Sequence, residues 1–343
     1  MTMYTFERIH PKKILEPSAG DGRFVKYLKG FNATIDLVEA DREKASKLIN
    51  EYANECNVHA SDFLKYAYEC DNKYDLIIGN PPYIAKKNVP KEQSKESERI
   101  LEYFDLDKSV YQNLWVSFVL SAIKLLSDDG VIFFVLPFEF LQVQYAEKLR
   151  KFLEIKFNTI EIITFEERVF EGIEQDICLV YLANTFQAKP YIQYSTYKDV
   201  RASSKVFESV IMRNKPLKKW SNCILNDEET EKLQQLSKQY PKISGFGNIS
   251  PGIVTGANSF FIVPYEDIDR LKIPYSCVLP VISKSSTIPA MLLLNVKDFE
   301  KTISSKNRTH LVNLNGCDQS YFSLELENYI VEGQKLEIDK RYK

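Results

Sequence analysis

Residues 13–25 read KILEPSAGDGRFV, a short apolar strand that runs into a glycine-containing turn and then into an amphipathic helix. Glycine has no side chain, so Gly20 and Gly22 let the backbone approach a ligand closely. The turn lacks the G-x-G-x-x-G spacing, so it is not a dinucleotide-binding fingerprint. The segment therefore predicts the first ligand-binding turn of an α/β protein.

Two further predicted strands end in acidic residues. Residues 34–38 form an apolar strand that leads into Glu39, about 20 residues beyond the glycine turn, where a carboxylate can accept hydrogen bonds from ribose hydroxyls. Residues 60–63 read ASDF and place Asp62 at a third strand end. Each feature alone indicates little. Three strand ends in this order indicate a ligand site at one edge of a sheet.

A fourth strand carries the most informative motif. Residues 74–79 read YDLIIG, a buried strand followed by Asn80, Pro81, Pro82 and Tyr83. The Asn80 side-chain carbonyl and a peptide carbonyl held by the prolines can accept both N–H groups of an amino group, whose lone pair then turns toward an electrophile. Tyr83 offers an aromatic face to a planar substrate. In isolation the tetrapeptide is typical of a proline-rich turn, but after the three upstream strand ends it indicates a site.

Taken in this order, the motifs resemble the S-adenosylmethionine-dependent DNA adenine-N6 methyltransferases of the gamma group, to which the TaqI, Eco57I and PstI/BsuBI modification enzymes belong. The resemblance extends over nearly the whole chain and is most specific before residue 185. The other matching segments are residues 113–118, 130–137, 169–176 and 251–258.

The resemblance implies a reaction and its catalytic residues. The target adenine would be flipped out of double-stranded DNA, and its N6 would receive the methyl group. Asn80, Pro81, Pro82 and Tyr83 would form the catalytic tetrapeptide, and the base would stack between Tyr83 and Phe170. Double-stranded DNA and a cognate restriction endonuclease are the partners implied.

The resemblance also implies S-adenosylmethionine as the cofactor. Phe63 and Phe118 match family positions that flank the cofactor's adenine, although either ring could instead fill the core. The cofactor-binding residues implied are Glu16, Pro17, Ser18, Ala19, Gly20, Gly22, Glu39, Asp62, Phe63 and Phe118.

Strands and helices alternate through residues 1–187, which predicts a doubly wound, Rossmann-like, mostly parallel α/β sheet. The resemblance makes this the S-adenosylmethionine-binding catalytic domain and implies an antiparallel last strand. Residues 188–343 are turn-rich without alternation, and we expect a mixed, partial DNA-recognition domain there. Helices are predicted over 42–53, 114–126 and 145–157, and strands over 131–136, 159–165 and 177–183.

The charged segment of residues 86–109 has two equally supported interpretations. It has little periodicity, which is typical of a solvated loop with a short helix. Because it follows the tetrapeptide, it could equally be a mobile flap that contacts the DNA backbone.

Charge is distributed unevenly along the chain. The whole chain carries a formal charge of −2, but residues 1–189 hold 24 Lys and Arg against 30 Asp and Glu, whereas residues 190–343 hold 21 against 17. A basic second half fits contacts with DNA phosphates, although so small a surplus is also compatible with an ordinary solvated surface.

The remaining composition is typical of a cytoplasmic enzyme. No apolar run approaches transmembrane length, and the N-terminus has no signal-peptide core. The six cysteines are scattered without a C-x-x-C pair, so neither zinc nor a disulfide framework is predicted. The three histidines are far apart in the sequence, and we predict no metal site.

Two departures from the family pattern suggest a fragment, a split subunit or a truncated and inactive gene product. Only 13 residues precede Ile14, where the family usually has another cofactor motif, and the recognition domain looks unfinished at Lys343. Two alternatives therefore stay open. The tetrapeptide could act on another nitrogen, such as a release-factor glutamine or an RNA guanine, or the chain could be a non-catalytic DNA-binding or assembly subunit.

Overall fold

The computed structural model divides the chain into two compact units, Met1–Tyr240 and Pro241–Lys343. The structure describes residues 1–167, 176–186, 188–202, 204–213, 217, 219–225, 227–248, 252–253, 255–284, 286, 295–303 and 307–338. None of the described helices is long and apolar enough to cross a membrane.

A single mixed sheet runs through the first unit, in the order β3-β2-β1-β4-β5-β7-β6-β8-β9. Its strands are β1 (Lys13–Glu16), β2 (Thr34–Glu39), β3 (Asn57–Ala60), β4 (Tyr74–Gly79), β5 (Leu126–Pro137), β6 (Thr159–Phe165), β7 (Ile177–Ala183), β8 (Tyr191–Tyr197) and β9 (Lys205–Met212).

The pairing directions confirm the predicted methyltransferase sheet. Strand β1 pairs in parallel with β2 and with β4, and β4 pairs in parallel with β5. Strand β7 is antiparallel to both β5 and β6 and lies between them. The order reverses at β1, so the carboxyl ends of β1, β2 and β4 meet at a topological switch point, where α/β proteins bind ligands.

Helices cover both faces of this sheet. Two of them begin at aspartates that follow strands: the Asp41 side chain accepts from the Glu43 and Lys44 amides, and the Asp62 side chain accepts from the Leu64 and Lys65 amides. The helices are α1 (Thr2–Phe6), α2 (Val25–Leu28), α3 (Arg42–Tyr52), α4 (Phe63–Glu69), α5 (Lys91–Tyr103), α6 (Leu114–Leu125), α7 (Glu147–Lys156) and α8 (Asp227–Gln239).

Alternation along β5 shows how the two layers are built. Ile132 and Phe134 point into the cluster that contains buried residues of α4 to α7, whereas Val131 and Phe133 point into the cluster that contains residues of α2 and α3. All four side chains are buried. The continuous apolar run of residues 131–136 in β5 is therefore explained by helices on both faces.

Two predicted elements differ from the structure. Strand β5 begins at Leu126, before the predicted residue 131, because Leu126 already pairs with Tyr74. The charged segment after the tetrapeptide contains the 13-residue helix α5, which is longer than the short helix expected. Ile100 and Leu101 are buried on its inner side, so a narrow apolar stripe anchors an otherwise charged helix.

The first unit continues past the predicted boundary at 187/188, which falls between β7 and β8 of one sheet. Trp220 is fully buried, stacks edge-on against Phe140 at 5.2 Å, and donates from Nε1 to Glu154 Oε1 at 2.7 Å. These contacts fasten the segment after β9 to the core. The recognition role assigned to residues 188–343 stays a prediction.

The second unit is a small mixed α/β body. Its antiparallel sheet has the order β10-β12-β11, and the core includes Val263, Ile268, Ile273, Val312 and Leu326. The strands are β10 (Ile262–Val263), β11 (Val278–Pro280) and β12 (His310–Val312), and the helices are α9 (Asn258–Phe261), α10 (Tyr265–Arg270), α11 (Val296–Ile303) and α12 (Leu324–Lys335).

A disulfide joins Cys277 and Cys317 in this unit, 40 residues apart in the sequence. The prediction of no disulfide framework was wrong at this pair. Spacing alone could not show it, because the fold brings the segment before β11 next to the segment after β12.

Replacing Trp220 tests whether its segment belongs to the catalytic unit. Trp220→Ala should lower the free energy of unfolding by about 3–5 kcal/mol, because it leaves a large cavity and takes the donor from Glu154. Trp220→Phe should lose less, and Tyr240→Ala should change little, because Tyr240 is 59% exposed. Urea unfolding measures all three, and equal losses for Trp220→Ala and Tyr240→Ala would contradict this packing.

Candidate cofactor and catalytic site

The glycine turn after β1 is fastened to the end of β2. The Ala19 amide donates to the Val38 carbonyl at 3.0 Å, and the Gly20 amide donates to Glu39 Oε2 at 2.7 Å. Glu39 Oε1 accepts from the Asp41 amide at 2.8 Å. Two of the predicted cofactor positions, the turn and Glu39, are therefore in direct contact.

The two glycines of the turn have different surroundings. Both adopt positive φ angles, +55° at Gly20 and +70° at Gly22. A Cβ on Gly22 would lie 2.9 Å from Leu48 Cδ2, so this glycine is needed for packing against α3. A Cβ on Gly20 would have no described atom within 4 Å. The backbone at Gly20 thus borders open space, as a ligand cradle requires.

Glu16 is a buried carboxyl at the end of β1. Only 1% of its surface is exposed, and Oε2 has no hydrogen-bond partner among the described residues. Burial, and secondly the charge of Glu39, raises the pKa of Glu16 well above its usual value. An isolated buried carboxylate is costly, and a cationic ligand group would offset that cost.

The tetrapeptide lies against the glycine turn. The Ser18 hydroxyl donates to the Asn80 backbone carbonyl at 3.0 Å. A Cβ on Gly79 would lie 3.2 Å from Pro17 Cδ, so the end of β4 approaches the start of the turn closely. The structure therefore brings the predicted cofactor turn and the predicted catalytic tetrapeptide into one place.

Within the tetrapeptide, the Tyr83 hydroxyl organises the Asn80 side chain. It lies 3.0 Å from Asn80 Oδ1 and 2.9 Å from the Val135 carbonyl, and its single hydrogen is shared between these two acceptors. Burial raises the pKa of Tyr83, so the hydroxyl stays protonated and remains a donor at neutral pH. Pro81 is buried, whereas Asn80 is exposed to solvent. The Asn80 side-chain oxygen is therefore held by Tyr83, while the residue stays exposed to solvent, where a substrate would meet it.

Asp62 and Phe63 stand at the start of α4, and Phe118 lies on α6. Asp62 Oδ1 caps α4, and the rings of Phe63 and Phe118 contact each other at 4.9 Å between centroids. Phe63 is 2% exposed and Phe118 is 4% exposed, so both rings lie in the core. Their contact with a cofactor stays a prediction.

Sequence reasoning missed Gln93, which lies on α5. Its Nε2 donates to Asp62 Oδ2, the carboxylate oxygen that does not cap α4. Ser97, fully buried one turn later, donates from its hydroxyl to the Gln93 carbonyl at 3.0 Å. No motif signalled this contact, because it depends on α5 packing against α4.

Phe170, predicted to stack on the target base, lies outside the described residues, as do residues 168–175 around it. Asn258, from the segment that resembles recognition domains, lies at the start of α9 in the second unit.

Two family models match the chain. The model described as "Eco57I restriction-modification methylase" matches residues 23–170, which begin just after Gly22 of the glycine turn and include Glu39, Asp62 and the tetrapeptide. The model described as "Type II methyltransferase M.Eco57I, C-terminal domain" matches residues 217–343.

Curated relatives extend the match. The chain is 26% identical to the type II methyltransferase M.AccI of Acinetobacter calcoaceticus, with 96% of this chain and 62% of that protein aligned. It is 27% identical to the restriction enzyme and methyltransferase RM.Eco57I of Escherichia coli over 55% of this chain and 19% of that protein. The chain thus spans less than two thirds of the length of either relative.

Among solved structures, the type IIG restriction endonuclease BpuSI aligns with a TM-score of 0.54 at 14% identity, covering 100% of this chain and 45% of that one. This likeness shows a shared fold. The two Eco57I models together cover most of the chain without overlapping. The chain belongs to the Eco57I family of restriction–modification methylases.

Proposed function

We propose that this chain transfers a methyl group from S-adenosylmethionine to N6 of an adenine flipped out of double-stranded DNA, and so protects host DNA in a restriction–modification system. The observation that carries the proposal is the hydrogen bond between Ser18 and the Asn80 carbonyl. It holds the turn proposed to bind the methyl donor beside the amide proposed to bind the methyl acceptor. Transfer in line requires this proximity.

The residues of the turn fit S-adenosylmethionine. Glu16 offers a buried carboxylate oxygen that has no described partner, which suits the ammonium of the methionine end. Glu39 lies beside the turn, where its carboxylate can accept from ribose hydroxyls. The open space at Gly20 leaves room for the cofactor against the backbone. When bound, the cofactor supplies an electrophilic methyl group on a sulfonium.

Asn80 and Pro81 orient the nucleophile. An exocyclic amino nitrogen attacks poorly because its lone pair is delocalised into the ring. Accepting both N–H groups, through Asn80 Oδ1 and the Pro81 carbonyl, turns that lone pair toward the methyl group. An amide oxygen has two lone pairs, so Asn80 Oδ1 can keep the Tyr83 hydroxyl while it accepts from the base.

Two aromatic rings are proposed to hold the flipped base. Tyr83 provides one face, and its hydroxyl contacts fix the ring beside Asn80. We propose Phe170 for the opposite face on the family resemblance. Base–aromatic stacking stabilises a flipped base by about 1–3 kcal/mol per ring, which offsets part of the unstacking cost.

Double-stranded DNA is the proposed substrate, and the second unit is proposed to read its sequence. The second family model, whose description names a methyltransferase C-terminal domain, spans this unit and supports that division. We also propose a cognate restriction endonuclease in the same system. RM.Eco57I, whose name joins both activities, supports such a pairing.

Product analysis with Asn80→Ala tests the reaction directly. The unaltered chain should place labelled methyl on N6 of adenine in duplex DNA. Asn80→Ala should slow transfer about 10²–10³-fold, as when one preorganised polar contact is lost, with the cofactor dissociation constant nearly unchanged. Asn88→Ala, a nearby exposed asparagine, is the matched control.

Nucleoside analysis of DNA, RNA and protein incubated with labelled cofactor gives the answer. Label found in protein or RNA alone would overturn the proposed substrate. A large loss of cofactor binding in Asn80→Ala would show that Asn80 is structural.

Cofactor affinity should depend on pH through Glu16. Its pKa is raised, so lowering the pH toward this value protonates the carboxyl and removes its attraction for the ammonium. The dissociation constant should therefore rise as the pH falls through the raised pKa of Glu16. Glu16→Gln should bind the cofactor more weakly and lose most of this dependence, whereas the exposed Glu228→Gln should keep it. Calorimetry at several pH values measures the cofactor dissociation constant of both variants. Equal pH profiles for the two would exclude a contact between Glu16 and the cofactor.

The two glycines should separate stability from binding. Alanine at either position adds backbone strain of about 1–2 kcal/mol, and Gly22→Ala adds a clash with Leu48. Gly22→Ala should therefore unfold more easily in urea. Gly20→Ala should be the milder change in stability but should weaken cofactor binding, since its methyl group would enter the open space. Normal affinity in folded Gly20→Ala would contradict a cradle at this turn.

A further inference from the structure

A cavity of about 400 Å³ lies within the second unit, and Ile262 forms part of its wall. Two cationic side chains, Lys284 and Arg308, line it together with Asn258, Ser259, Ser283 and Asn307. The described residues that line it include no acid. Because the basic surplus of residues 190–343 is small, a local cluster of this kind says more about a partner than the net charge does.

Arg308 ties three distant segments together at this cavity. Its Nη1 donates to the Ser259 carbonyl and, at 2.8 Å, to the Ile262 carbonyl. The Ser283 hydroxyl donates to the Arg308 carbonyl at 2.7 Å. The guanidinium is therefore held in place, and it occupies two carbonyl oxygens that would otherwise repel an anion.

Asn258 is turned so that it can act as a donor. Its Oδ1 lies 2.6 Å from the Thr255 hydroxyl, and the same hydroxyl oxygen accepts from the Ala257 amide at 3.1 Å. The Thr255 hydrogen bond fixes the orientation of the Asn258 amide, whose two N–H groups can donate to a ligand. Asn258 belongs to the segment that resembles family recognition domains, so sequence and geometry point to the same place.

We propose that this cavity binds a backbone phosphate of the DNA. Lys284 and Arg308 supply positive charge, and Asn258 supplies neutral donors, the combination that proteins use for phosphodiester oxygens. Such a contact fixes the register of the second unit on the duplex without reading a base. This proposal rests on the proposed function, because it takes DNA as the ligand.

The test compares Lys284→Ala and Asn258→Ala with Lys297→Ala, an exposed lysine of α11 outside the cavity. Each full-length variant is titrated with duplexes of unrelated sequence at several salt concentrations. Lys284→Ala should weaken binding equally for all duplexes and flatten the slope of log K against log salt by about 0.9, the value for one phosphate contact. Asn258→Ala should weaken binding with the slope unchanged, and Lys297→Ala should match the unaltered chain.

Arg308 is not substituted, because it forms hydrogen bonds with two other segments and its loss would disturb the fold of the second unit. Thermal unfolding must show that Lys284→Ala and Asn258→Ala fold like Lys297→Ala. A second arm measures the binding of inorganic phosphate by calorimetry. Phosphate binding lost in Lys284→Ala, with DNA binding unchanged, would make this a small-anion site and overturn the proposal.

The outcomes also separate this proposal from the proposed function. Unchanged DNA affinity and slope in Lys284→Ala, with DNA methylation intact, would overturn the cavity assignment alone. If the salt dependence of DNA binding changed in Lys284→Ala but the unaltered chain transferred no methyl group to DNA, the proposed function alone would be overturned. No DNA binding by the unaltered chain would overturn both.

Discussion

Parallel pairing of β1 with both β2 and β4 is the constraint on which the site depends. It brings three carboxyl ends to one edge, so that turns separated by many residues become neighbours. Ser18 can then reach the Asn80 carbonyl, and Glu39 can reach the Gly20 amide. Helices on both faces hold this pairing in place, since the strands have no solvated face. The chemistry proposed for Asn80 therefore rests on the burial of residues that never meet a substrate.

Glu16 illustrates the cost of such a site. A carboxyl this deeply buried, with Oε2 lacking a partner among the described residues, lowers stability unless a ligand compensates it. Its neighbour Glu39 adds repulsion. Folded proteins seldom keep a group of this kind unless a ligand completes it, and perturbed carboxyls gather at functional sites for that reason. Binding of a cation at Glu16 would thus both position the ligand and relieve strain in the fold.

Short-range patterns predicted much of this molecule. The strand Tyr74–Gly79 and the helix after Asp41 follow from local apolar runs and a capping aspartate, and the structure has both where expected. Trp220 and Gln93 could not be found in this way. Each acts through contacts with distant elements, Glu154 and Asp62 respectively, and only the packed fold creates them. The disulfide of the second unit was missed for the same reason.

Helix α5 shows how the site could respond to a ligand. Gln93 donates to Asp62 Oδ2 while Asp62 Oδ1 caps α4, so one carboxylate joins α5 to the start of α4. Breaking one hydrogen bond to a carboxylate costs about 1.5–3 kcal/mol. That is the range of typical coupling energies between two sites, about 1–3 kcal/mol. A ligand donor that takes over Asp62 Oδ2 would therefore release α5 from α4 at this contact without disturbing the cap of α4.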